Sequence, residues 1–533
     1  MAFNKLKSSM EMEKILKMGK TSAIGSFQLF IGQSASTIFM AVGAIILARL
    51  ITPEEYGLYS IALIPSYMAI LFRDWGINSA IIKYTASLRA QKTEKETFEI
   101  IKAGLIFEIA AGFLLSLALI CLSGFIASVI FNRPESAPLI AIASITVFAT
   151  ALQTAAQSTF IGFERMELNS LTNICQASIK SVTAPLLVFV GFGAMGATLG
   201  YTLSFIASAI IALAILYLTI IRGIRRKNTK NSKTTKTLRE MLRYGVPLSI
   251  SSIIGGFLTQ FYAFLMAIYC SNAAIGNYQV ATQFATILTF FTIPISTVLF
   301  PAFSKIDTEN ENELLKTTFA SSIKYASLII VPATMVLMVL SKPMVTTLFG
   351  EKWTQTPLFL TLYVVNDLFV IFGSQIIGSL FAGLGETKTQ MKLSLITLSI
   401  GIPLASILIP SMGIIGLILT TIIAGKPSLA IGLLWIGKKY KAKIDINSSM
   451  RILAASTIAA TATLLAVNSI AHAEWVKLTI GLSTFAATYL ITAPTIGAIN
   501  KNDAKNLKTM FSGLGTISKI INIPLNIIEK SQL

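Results

Sequence analysis

Three charged side chains stand near the middle of long apolar runs: Lys180, Asp367 and Lys426. A charge at the centre of a bilayer costs roughly 2.5–3.5 kcal/mol on insertion scales, so it persists where it meets a partner or water. Lys180 lies about twelve residues into its run, roughly 18 Å along a helix, beyond easy reach of either interface. An ammonium there would attract phosphate or an acidic sugar. Lys426 is equally central and directly precedes Pro427. Packing roles compete with these assignments, for example an interhelical pair between Lys426 and Asp367. Glu108 and Lys324 lie nearer the cytoplasmic edge, where reaching water is the simpler expectation. Arg73 and Asp74 fall where the second apolar run meets the inner boundary. Asp367 or Glu108 could instead carry a coupling proton or cation, as intramembrane carboxylates do.

Holding such charges at depth requires a helical bundle in lipid. The chain is 54% hydrophobic and 13% charged, more apolar than a soluble domain can bury. Its mean hydropathy is +0.73. Runs long enough to span fall near 21–48, 56–72, 103–131, 137–163, 168–192 and 194–221, then 244–270, 274–302, 320–341, 357–383, 388–411, 413–437, 451–471 and 475–499. The expected fold is therefore an all-α membrane protein of about 14 spans. The net charge of +19 fits this reading without nucleic acid. About 35 Lys and Arg fall in alternate loops, the side that the positive-inside rule makes cytoplasmic. Both termini are then cytoplasmic, in the cell membrane. No removed signal peptide is expected, because no cleavage site follows a short apolar core. Residues 1–20 and 500–533 read as amphipathic segments on an anionic leaflet. Cys121, Cys175 and Cys270 lie inside apolar spans as small core residues, with no disulfide expected.

The chain also resembles itself at a shift near 220. Tyr56-Gly57-Leu58-Tyr59 lines up with Ile275-Gly276-Asn277-Tyr278, and Gly193-Ala194-Met195-Gly196 with Gly413-Ile414-Ile415-Gly416. An even number of spans separates the matches, so the halves run parallel. The expected organisation is a six-span lobe over 21–222, a basic linker over 223–243, a second six-span lobe over 244–437 and two extra spans over 438–499. Two pseudo-symmetric lobes around a central cavity suit alternating access. Pro185 and Pro403 correspond within a couple of positions, as bending elements near the cargo or as ordinary packing features.

Absences narrow the function. His472 is the sole histidine, which excludes histidine metal clusters and most histidine acid–base catalysis. No Walker-type phosphate-binding loop is present, so the chain is not expected to hydrolyse ATP itself. Outer loops are short, which disfavours a membrane glycosyltransferase or ligase, although Asp74 and Glu108 keep that class open. No cofactor and no metal are expected.

The stretch Arg49-Leu50-Ile51-Thr52-Pro53-Glu54-Glu55-Tyr56-Gly57 resembles the signature after the first helix of polysaccharide-biosynthesis flippases. Arg73-Asp74-Trp75-Gly76-Ile77, Gly162-Phe163-Glu164-Arg165 and Gly383-Leu384-Gly385-Glu386 resemble their later elements. The chain is thus similar to the oligosaccharide flippases of the multidrug/oligosaccharidyl-lipid/polysaccharide exporter superfamily. That resemblance implies transfer of a polyprenyl-linked glycan to the outer leaflet, on an undecaprenyl or dolichyl carrier, by a monomer working beside glycan-assembly enzymes. It further implies cavity-lining roles for Arg49 and Arg73. Gln260-Phe261-Tyr262 departs from the pattern, which in many relatives carries an aspartate after Gln-aromatic. A cation-coupled multidrug exporter of the same superfamily is the alternative transport reading; it would favour acidic cavity residues.

Overall fold

A computed structural model of the chain describes residues 28–29, 31–91, 93–225, 234–307, 311–470, 472–511 and 526. Every regular element among them is helical. Hydrocarbon dictates this, since each buried backbone group must find its partner inside its own segment. The helices are α1 (Ile31–Leu50), α2 (Pro53–Arg73), α3 (Ile77–Ala90), α4 (Glu94–Phe125), α5 (Ala137–Gly162), α6 (Met166–Leu187), α7 (Gly193–Leu216), α8 (Arg222–Arg225) and α9 (Thr234–Tyr269). Then come α10 (Asn272–Ser304), α11 (Asn312–Val339), α12 (Ser341–Phe349), α13 (Thr356–Val364), α14 (Ile377–Gly383), α15 (Thr387–Ala424), α16 (Lys426–Tyr440), α17 (Ile446–Asn468), α18 (Glu474–Thr495) and α19 (Lys501–Phe511).

Ten helical stretches are long and apolar enough to cross a membrane. Two of them, Met166–Ile221 and Thr387–Tyr440, are 56 and 54 residues long and fold back on themselves, so each supplies two crossings. The bent pair Thr356–Phe372 and Ile377–Gly383 adds one, and the uncharged 33-residue α10 another. Fourteen crossing segments among the described residues is the expected number. The amphipathic segment expected over 1–20, residues 226–233 of the basic linker and the tail beyond α19 apart from residue 526 lie outside the described residues.

The chain packs as two units, Met1–Ile268 and Tyr269–Leu533. In the first, Ile101, Ala156, Phe160, Ala212 and Leu216 form one core, and Ile77, Ile81 and Met241 another. The seventh span, expected to open the second lobe, packs here. A Cβ on Gly76 would stand 2.0 Å from the Gly245 carbonyl oxygen of α9, so this contact needs two bare backbones. In the second unit Phe303, Phe319, Phe381, Ile436, Ile452 and Ala493 belong to one core, which draws in the two extra spans α17 and α18. Lys324 does not simply reach water. It pairs with Asp503 of α19 at 2.6 Å.

Three local devices recur in both units at the expected shift. Thr52 caps α2 and Ser271 caps α10, each hydroxyl accepting a backbone N–H three residues on. The Phe160–Arg165 turn and the Phe381–Glu386 turn end their helices with the same pair of bonds, 6→1 and 5→2, around a left-handed Glu164 or Gly385. Gly193 (φ 49°, ψ −133°) and Gly413 (φ 58°, ψ −131°) adopt one glycine-only conformation where two spans fold back. The matched breaks therefore sit at these glycines. Pro185 and Pro403 stay within helices.

Candidate functional site

The first unit holds a buried ionic knot. Arg73 ends α2 at 2% exposure, and its Nε stands 3.0 Å from Glu108 Oε2 of α4, itself at 0%. That contact lies outside hydrogen-bond geometry, but the other guanidinium nitrogens donate well. Nη1 reaches Thr150 Oγ1 at 2.8 Å and Val147 O at 3.2 Å, and Nη2 reaches Thr154 Oγ1 at 2.9 Å, all on α5. Asn78 of α3 donates to Glu108 Oε1 at 2.9 Å, and the Asp74 carboxylate accepts the Asn78 backbone N–H at 3.4 Å. Four helices meet at one pair of charges. Glu108 is therefore not an edge carboxylate open to water, which corrects the sequence expectation. Three hydrogen bonds tie the Arg73 guanidinium to α5 and Glu108 pairs with it, so an anionic cargo would have to compete with Glu108, Thr150 and Thr154 for that charge. Sequence reasoning missed the knot because nothing along the chain couples positions 73, 108 and 150.

Lys180 is built differently. Its Nζ lies 4.9 Å from the ring centroid of Tyr201 on α7, and among the described residues no carboxylate pairs with it. The side chain is partly exposed. Tyr201 packs edge-on against Tyr59 of α2, and its hydroxyl is 3.0 Å from the hydroxyl of Tyr67, also on α2. A ring face steadies an ammonium by cation–π attraction without consuming its three N–H donors. The tyrosines were not singled out in the sequence, although Tyr56, Tyr59 and the later Tyr67 follow one another along α2.

The second unit places Lys426, Asn366 and Asp367 at two interrupted spans. Following α13 the chain tightens into a 3₁₀ stretch, Val365–Phe372, and turns at a left-handed Gly373 before α14 resumes at a 50° bend. Gly425 separates α15 from α16, so Lys426 occupies the first turn of α16 with Pro427. Lys426 Nζ donates to Asn366 Oδ1 at 2.8 Å and sits 3.4 Å from the Phe369 ring centroid. No direct ion pair joins Lys426 to Asp367. Instead Gln375 Nε2 donates to Asp367 Oδ1 at 3.4 Å. Ser374 Oγ is buried without a partner among the described residues. Irregular backbone at membrane depth survives where protein or a wet cavity satisfies it, and such breaks commonly hold ions or substrate.

The remaining candidates are peripheral to both clusters. Arg49 lies exposed at the end of α1, just before the Thr52–Glu55 capping box that starts α2. Asp74 is partly buried beside the ionic knot. At the departure from the family pattern, Tyr262 is 7% exposed and its hydroxyl has no partner among the described residues.

Comparison with known proteins brings a family into view. A family described as "Polysaccharide biosynthesis protein" matches residues 46–357. The lipopolysaccharide biosynthesis protein WzxC of Escherichia coli (strain K12) is 28% identical over 397 residues, covering 73% of this chain and 74% of that protein. The probable low-salt glycan biosynthesis flippase Agl15 of Haloferax volcanii is 23% identical over 183 residues, 34% of this chain and 39% of its own. Among solved structures, the lipid II flippase MurJ in an inward closed conformation superposes with a TM-score of 0.69 at 19% identity, covering 88% of this chain and 98% of MurJ, which is a likeness of fold.

Proposed function

Because this chain belongs to the polysaccharide biosynthesis protein family, we propose that it is a flippase that carries a polyprenyl-(pyro)phosphate-linked oligosaccharide from the cytoplasmic to the outer leaflet. The cargo serves surface polysaccharide or glycoprotein glycan assembly, and the protein acts as a monomer beside the enzymes that build it. The chain is a multi-pass membrane protein. Its basic loops support cytoplasmic termini in the cell membrane. Transport proceeds by alternating access: the anionic head group binds while its binding face is open inward, and the lipid tail stays in the bilayer. The observation that carries this reading is Lys180, a mid-span ammonium with no carboxylate partner among the described residues. An uncompensated cation at that depth needs water or an anion.

Arg49, exposed at the end of α1, meets the head group in this reading, and Lys426 offers a second cation. Asp367, at a break in its span, is the carboxylate best suited to couple a proton or cation. Arg73 and Glu108 hold the first unit together. A multidrug exporter for organic cations would want an available acid in this unit, and Glu108 is already engaged by Arg73 and Asn78. Transfer without bond-making separates the flippase from a glycosyltransferase. Purified protein in liposomes with a fluorescent lipid-linked oligosaccharide should expose the head group to an outer-leaflet probe without forming new glycosidic bonds. Failure to expose it, or appearance of a longer glycan, would refute the proposal.

A further inference from the structure

We propose that Tyr67 and Lys180 form a two-point, donor-only subsite for a sugar phosphate, with Tyr201 as the residue that positions both. The inference rests on the flippase reading and adds to it a specificity-determining residue. Its starting point is how two hydroxyls share one hydrogen bond. Tyr67 Oη and Tyr201 Oη lie 3.0 Å apart, and either could donate. Tyr201 is 5% exposed, whereas Tyr67 is 39% exposed. Were Tyr67 the donor, the Tyr201 proton would be left buried with no second acceptor, the more costly arrangement. Tyr201 therefore donates and Tyr67 accepts. The Tyr67 O–H proton is then free, on the partly exposed member of the pair.

The same Tyr201 ring underlies the Lys180 ammonium at 4.9 Å. Tyr59, packed edge-on at 6.2 Å between centroids, and Phe205, at 5.0 Å, hold that ring in place. One buried phenol thus contacts two donors on partly exposed residues, a hydroxyl from α2 and an ammonium from α6. No acceptor-bearing acid accompanies them among the described residues. Donors without acids select a ligand rich in oxygen acceptors: a phosphate ester for the ammonium and a neighbouring sugar oxygen for the phenol. The same set repels an organic cation.

The test measures binding of a fluorescent short-chain polyprenyl pyrophosphate carrying an N-acetylhexosamine to the full-length protein in lipid nanodiscs. Tyr67→Phe removes the free O–H and also the acceptor of the Tyr201 proton, so the unfolding temperature should fall, and at equal folded protein the dissociation constant should rise about tenfold, the loss expected of one hydrogen bond. Lys180→Met should weaken binding further and flatten its dependence on salt, with Lys180→Arg restoring both. Tyr201→Phe should weaken binding and reduce the preference for this probe over the same lipid pyrophosphate without sugar, a change that mere loosening of the bundle would not produce. Inorganic pyrophosphate should compete and tetraphenylphosphonium should not. Wild-type affinity in Tyr67→Phe, or competition by tetraphenylphosphonium, would overturn the subsite. If wild type flips the lipid-linked glycan while Tyr67→Phe binds as wild type does, the flippase reading stands and the subsite fails. If wild type neither binds nor flips it, both fail.

Discussion

The fourth and tenth spans occupy the same place in the repeat and solve the burial of charge in opposite ways. Residues 145–156 of α5 correspond at a shift of 220 to 365–376, and both spans end in the same left-handed turn. In α5 the helix is continuous, and its Thr150 and Thr154 hydroxyls and Val147 carbonyl take up the Arg73 guanidinium. In the tenth span the helix tightens, turns at Gly373 and bends by 50°, with Asn366 and Asp367 beside Lys426. A dry charge pair is a rigid clamp, because separating it leaves two ions in low dielectric. A half-buried cation on one amide oxygen at a broken helix is cheaper to move. The contrast makes the first cluster the harder of the two to separate.

The largest effect should come from splitting the clamp. Arg73→Ala leaves Glu108 buried without its cation and should destabilise the first unit by about 3–5 kcal/mol, read by unfolding in detergent. Replacing both partners with apolar residues, Arg73→Met with Glu108→Leu, should recover most of that loss. Equal damage from the double variant would mean that the charges do more than compensate each other.

A smaller loss is expected at Asn277, whose Oδ1 accepts the backbone N–H groups of Gln355 and Thr356, both at 3.1 Å, at the start of α13. Asn277→Ala should cost about 1–3 kcal/mol by stranding those donors, of which the Thr356 N–H is buried. Lys426→Met should shift stability by less than about 1 kcal/mol, since it removes one hydrogen bond from a partly exposed cation, yet slow transport severalfold. Destabilisation on the scale of Arg73→Ala would erase the distinction between the two spans.

The smallest effect is a pH dependence at the start of α17. Asp445 caps that helix, accepting from the Ser448 hydroxyl at 2.5 Å and its backbone N–H at 3.1 Å. These bonds hold its carboxyl below the usual 3.8. A depressed acid stabilises the fold above its unfolded value, and that contribution disappears as pH falls through the folded value. Asp445→Ala should cost about 0.5–2 kcal/mol near neutrality. The deficit should shrink below about pH 4, as the wild-type carboxylate protonates. A deficit independent of pH would leave the cap without a charge component.

Much of the architecture was legible because hydrocarbon leaves few options. Uninterrupted apolar length marked the spans, and the positions of Lys180, Asp367 and Lys426 announced themselves as exceptions. The repeat was visible in Gly193 and Gly413 because a backbone conformation closed to other residues keeps its glycine. Partnerships were not visible. Arg73 and Glu108 are 35 positions apart on different helices, and Tyr67 and Tyr201 are 134 apart. The break at Gly373 lay inside an apolar run, where hydropathy reads straight through a turn. Gly76 and Gly245 explain why the seventh span packs in the first unit, a contact set by two backbones that no side-chain pattern records.

Leaflet transfer by Lys180→Met against wild type tests the central claim most directly. Proteoliposomes containing each protein would be loaded with the fluorescent lipid-linked oligosaccharide, and head-group exposure followed with a membrane-impermeant quencher. Wild type should expose the head group rapidly, and the variant at least tenfold more slowly at equal folded protein. Equal rates for the two would contradict the claim.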